Sequence, residues 1–105
     1  MKIENLGLLK QLGYSEDNLK ELNAVKQNTP NFEKIKNHLV SLNDKLKHLN
    51  GFIAFSNSVP HLKIKVENSG ELLEEAKEII EKWAKKYNVI LEKVKENVFY
   101  IKKVN

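Results

Sequence analysis

Residues 69–87 read SGELLEEAKEIIEKWAKKY. Leu72, Leu73, Ala76, Ile79, Ile80, Trp83, Ala84 and Tyr87 recur there at three- and four-residue spacing, which predicts a helix of about 16 residues with one broad apolar stripe. A stripe that wide needs a surface to cover it. Glu71, Glu74 and Glu75 stand in the first turns, and Lys82, Lys85 and Lys86 in the last ones. That order matches the helix dipole, and Glu78–Lys82 and Glu81–Lys85 add favourable i,i+4 pairs. Helix stability accounts for this charge pattern without any functional role.

Strand-like runs flank the helix. On the C-terminal side, 89–94 and 98–104 are rich in Val, Ile, Leu, Phe and Tyr. Lys95-Glu96-Asn97 between them predicts a tight turn, with asparagine tolerating the left-handed backbone. On the N-terminal side, 52–55 reads as a short strand and 56–60 as a turn. In 61–66, Leu62, Ile64 and Val66 alternate with His61, Lys63 and Lys65, so the first three are expected to face the core and the last three to face outward. The fold class is therefore α+β, with a β-β-α-β-β unit in which one long helix lies on a small antiparallel sheet. The sheet's outer face should carry Lys63 and Lys65, with some of Lys93, Lys102, Lys103 and Tyr100. Val98, Phe99, Tyr100 and Ile101 alternate, so one of the two aromatics must be in the core.

Residues 1–50 read as helical. Ile3, Leu6, Leu8, Leu9 and Leu12 suggest a short helix stopped by Gly13, with Gly7 weakening it. Ser15 follows as an N-cap, with Glu16 and Asp17 in the first turn, and Leu19 placed to form a hydrophobic staple with Tyr14. Thr29-Pro30 is the next start signal, with Asn31 as a competing cap. Phe32, Ile35, Leu39, Leu42, Leu46 and Leu49 then recur at 3-4-3-4-3 spacing, close to three heptads of a and d positions. Packing along a neighbouring helix of the same chain explains that seam. The alternative is a seam that also meets a second copy. Asn50-Gly51 is expected to end this helix with a positive φ at one of the two residues. The chain reads as one domain, 1–105, with a helical part (1–50) and an α/β part (51–105), because neither half is a comfortable independent folder.

The sequence has 105 residues, no cysteine, and 18 basic residues against 14 acidic ones. All 18 basic residues are lysines. Charge permits contact with polyanions, but bidentate readout of phosphate or guanine is arginine chemistry. No cysteine means no disulfide, no thiolate metal site and no thiol nucleophile. The start MKIENLGLLKQLG lacks the apolar core of a signal peptide, and no apolar run is long enough to cross a bilayer. A cytoplasmic location and no membrane association are the resulting expectations.

No phosphate-cradling glycine loop is present. His38, His48 and His61 lack partners at metal-ligand spacing. Ser56 and Ser58 read as turn residues rather than nucleophiles, and the carboxylate pairs Glu71/Glu75 and Glu74/Glu78 sit on a solvated helix face. No enzymatic activity, catalytic residue, metal or cofactor is expected. The first expectation is a protein-binding module acting as a regulator, inhibitor or assembly component. Its anchors are Phe52, Phe55 and Val59, with Leu39, Leu42 and Leu46 available for homodimerisation. The short strand 52–55 also offers an edge to another chain. The alternative is a nucleic-acid-binding domain using Lys63, Lys65, Lys93, Lys102, Lys103 and Tyr100, with Tyr100 as a stacking platform.

Overall fold

The computed structural model describes residues 4–105; Ile3, part of the first apolar run, lies outside them. Helix α1 (Asn5–Gln11) stops at Gly13, whose φ of 89° is open to glycine. Ser15 caps a short 3₁₀ turn as expected: its Oγ accepts the Asp17 N–H at 3.3 Å, and Asn18 Oδ1 accepts the Ser15 N–H at 3.4 Å. Helix α2 (Leu19–Asn28) continues from it.

The heptad segment is not one helix. It is a 3₁₀ turn (Phe32–Ile35), helix α3 (Lys36–Leu46) and a second 3₁₀ turn (Lys47–Leu49). Thr29 and Pro30 do not cap it. Thr29 is buried beside His61, and Asn31 takes the left-handed backbone while its Nδ2 donates to the Val104 carbonyl at 2.8 Å. Asn50, not Gly51, supplies the positive φ at the end (55°). Gly51 is needed for another reason, since a Cβ there would sit 2.9 Å from Leu46 Cβ.

Strands β1 (Gly51–Phe55) and β2 (Leu62–Val66), helix α4 (Gly70–Tyr87), and strands β3 (Val89–Lys95) and β4 (Val98–Val104) complete the chain. The sheet is antiparallel with order β1-β2-β4-β3. This is the expected β-β-α-β-β unit preceded by three helices. Two helices share the inner face: α3 packs on β1, and α4 on β3. They meet where Trp83 Nε1 donates to the His38 carbonyl at 3.0 Å and the His38 ring stacks on Tyr87 at 3.7 Å. On α4, Ala76, Ile80, Trp83 and Ala84 are buried. Leu72 stays 48% exposed, so the stripe is only partly consumed at its N-terminal end.

Leu39, Leu42 and Leu46 are 0% exposed and belong to the same core as Ile53, Ile64 and Ile80. The apolar seam is spent inside the chain, which removes these three leucines as a dimerisation surface. The expected strand edge at 52–55 is closed as well. The Ile53 N–H donates to Asn43 Oδ1 at 2.9 Å, and the Phe55 N–H donates to the Tyr14 hydroxyl at 3.0 Å. Two side chains from the helical part thus occupy the amides that an incoming strand would need. No helix among the described residues is long and apolar enough to cross a membrane.

Candidate functional site

With the inner face covered by α3 and α4, the sheet's other face is the open surface. Strand register sets its pattern, because residues opposite each other in a ladder point to the same side. One row runs Phe52, Lys65, Val98, Lys95 across β1, β2, β4 and β3. The next runs Ala54, Lys63, Tyr100, Glu92. Phe99 and Ile101 point the opposite way, into the core, which settles the alternation in β4. Val98 is only 9% exposed yet lies outside the core cluster; it forms the apolar floor of the open face.

Two connections raise walls around this floor. The loop 56–61 leans over it at one end, where the Ser58 and Tyr100 hydroxyls are 3.1 Å apart. The β3–β4 hairpin, with Val94, Lys95 and Asn97, closes the other. Between them is a groove of about 300 Å³ floored by Lys63, Lys65, Val98 and Tyr100. Hydrogen bonds from Ser56 and Ser58, with the charge of Lys63, hold the Tyr100 phenol below its usual pKa range.

The charges around the groove are unbalanced. Among the described residues, Lys63, Lys65, Lys95 and Lys103 form no ion pair. Lys102 pairs with Glu92 at 3.4 Å, the one carboxylate in the two central rows. Lys93 is misplaced by the sequence reading. It lies opposite the core residue Phe99 and shares Glu96 with Lys77 of α4, so it stands on the helix side of the sheet. Lys103 is opposite Ile90, away from the groove.

The proposed protein anchors scatter. Phe55 is 9% exposed, its ring 4.7 Å from that of Tyr14, so it folds under the N-terminal segment instead of projecting beside the turn. Val59 is half-buried in a separate pocket of about 280 Å³ between α2 and the loop 56–61, together with Val25, Phe55, Pro60 and His61. Phe52 is half-buried on the open face, in the row of Lys65. His61 is buried, not outward, with Nδ1 3.4 Å from Thr29 Oγ1; burial and the charge of Lys102 lower its pKa against opposing contributions from the Ile101 backbone and Glu92. No group of three or more His, Cys, Asp or Glu side chains that could hold a metal ion occurs among the described residues.

Sequence reasoning misses Ser56 and Ser58 as site residues, and it counts Lys95 among the basic residues without placing it at the site, whereas its pairing with Val98 puts it in the first row. The two serines gave no signal, because their partner Tyr100 lies 42 residues from Ser58. No family model, no curated protein and no solved structure matches the chain.

Proposed function

We propose that the chain is a non-enzymatic module that binds single-stranded nucleic acid on the open face of its sheet. The observation that carries this reading is the grouping of the unpaired Lys63, Lys65 and Lys95 with Phe52 and Tyr100 on the one sheet face that no helix covers. Lysine ammonium groups attract phosphates as point charges, and exposed aromatic faces accept unstacked bases of any sequence. Phe52 and Tyr100 lie two strands and two residues apart, about 12 Å from strand spacing and rise. A strand crossing the face diagonally meets an aromatic at each end and lysines between. A rigid duplex offers no unstacked base to either ring. Without arginine, recognition is electrostatic and weakly sequence-selective, with dissociation constants of about 10⁻⁴ to 10⁻⁶ M near physiological salt. Protein binding was the first expectation. It loses its main support here, because Leu39, Leu42, Leu46 and Phe55 are committed to the core.

The test is fluorescence anisotropy with a 3′-labelled oligouridylate at several salt concentrations. Three cations at the groove (Lys63, Lys65 and Lys95) give an expected log–log salt slope of about −2.1 for a single strand. Replacing Lys63, Lys65 and Lys95 with serine should weaken binding and flatten the slope by about 2. Unchanged affinity and slope in the triple variant overturn the assignment of this face. Capture of an oligoglutamate peptide but not of any oligonucleotide would return the chain to the protein-binding reading.

A further inference from the structure

The groove is not uniform along its length. Its loop end carries a chain of three hydroxyls. Ser56 Oγ and Ser58 Oγ are 3.3 Å apart, and Ser58 Oγ and Tyr100 Oη are 3.1 Å apart. Ser56 and Ser58 both donate toward the Tyr100 oxygen, which uses their two protons. The phenol's own proton is left for an outside acceptor. Lys63 is opposite Tyr100 in the ladder, and its ammonium has no carboxylate partner among the described residues. Lys65 is two residues along the same strand, on the same face.

The Tyr100 phenol on β4 and the ammonium groups of Lys63 and Lys65 on β2 therefore converge on this recess. A tetrahedral anion with three free oxygens offers each of these donors an oxygen of its own. The loop also stands across the groove at this end, so a chain lying in the groove meets a wall here and cannot continue. An internal phosphodiester has only two free oxygens and must be continued on both sides. A terminal phosphate monoester has three free oxygens, a second charge, and needs continuation on one side only.

We infer that the recess bounded by Ser56, Ser58, Lys63 and Tyr100 binds the terminal phosphate monoester of the strand, so that the protein recognises phosphorylated ends. This rests on the nucleic-acid reading for the identity of the rest of the ligand, but the recess itself is tested independently. The depressed phenol pKa of Tyr100 agrees with a site already polarised by neighbouring donors and a cation.

The experiment compares three oligouridylates of one length, with a 5′-phosphate, a 3′-phosphate, or hydroxyls at both ends. They compete against an internally labelled strand. One of the two phosphorylated forms should bind about tenfold more tightly than the unphosphorylated one, and which of them does so reports the polarity of the strand. Ser58→Ala should bring that ratio close to 1. Equal binding of all three forms by the unaltered protein overturns the terminal-phosphate assignment while leaving the lysine face standing. A parallel titration of the ¹⁵N-labelled protein with inorganic phosphate separates the two ideas when no oligonucleotide binds. Saturable shifts confined to Ser56, Ser58, Lys63 and Tyr100, lost in Ser58→Ala, support the recess alone; their absence overturns it.

Discussion

Replacing Asn43 with leucine tests how the sheet is terminated. Asn43 is 7% exposed and Ile53 is 1% exposed, and the Ile53 N–H reaches Asn43 Oδ1 at 2.9 Å. Leucine has nearly the same shape but no acceptor, so the amide of a buried edge residue loses its partner. An orphaned buried donor costs about 1–3 kcal/mol. Leucine gains some apolar burial, which offsets part of this and leaves an expected loss of about 1–2 kcal/mol. For a chain of 105 residues, unfolding entropy near the midpoint is about 220 cal/mol/K, so the midpoint should fall by about 5–9 °C. Thermal and urea unfolding followed by Trp83 fluorescence read the two quantities, because Trp83 is the only tryptophan and is 4% exposed. The denaturant slope should be unchanged, since the same surface is buried. A variant as stable as the parent would refute the claim that Asn43 satisfies the edge amide of Ile53.

Two further outcomes follow from the core and from His61. Leu42→Ala should destabilise the chain by about 2–5 kcal/mol with no change in sedimentation at native conditions; a loss of oligomer mass instead would restore the dimer seam. His61 is held neutral by burial and by Lys102, so its folded pKa lies below its unfolded value of about 6.5. The unfolded chain then binds the proton first as pH falls. The stability from neutral His61 is present above about pH 6.5 and is lost as pH falls through the lower folded pKa. His61→Gln should flatten this part of the pH profile measured by thermal unfolding, and an unchanged profile would show that protonation of the buried His61 plays no part in it.

Much of the architecture was legible because periodicity is local. The i, i+3, i+4 stripe of 69–87 gave α4, and strict alternation in 62–66 gave the two faces of β2. What failed to show was whatever depends on distant partners. The 3-4-3-4-3 spacing of 32–49 is the same whether a helix packs on its own sheet or on a second copy. Only the proximity of β1 places Leu39, Leu42 and Leu46 inside. The alternation that puts His61 outside does not reach it, because His61 lies in the loop just before β2, which turns the ring toward Thr29. Lys93 went astray because pairing shifts on both sides of it, between Ile90 and Leu91 and between Lys93 and Lys95, reset the side of the sheet its neighbours imply. Tyr14 was read as a local staple for Leu19, whereas its ring meets Phe55 and its hydroxyl caps the strand. The groove was half visible: alternation supplied its lysines, but the loop that walls it contributes through contacts too far apart in sequence to anticipate.

The order β1-β2-β4-β3 makes the sheet a union of two hairpins, joined by the β2–β4 ladder. That ladder pairs three residues on each side, Lys63–Lys65 with Val98–Tyr100, against five in β1–β2. It is the shortest joint in the sheet and the one made last along the chain, after α4 has been laid across. Local opening concentrates where ladders are short, so amide exchange in the isolated protein should be fastest to breach the sheet there. The groove floor takes Lys63 and Lys65 from one hairpin and Val98 and Tyr100 from the other, so it lies directly over this joint. A ligand chain seated in the groove would splint the two hairpins, and part of its binding energy would go into the sheet's own continuity.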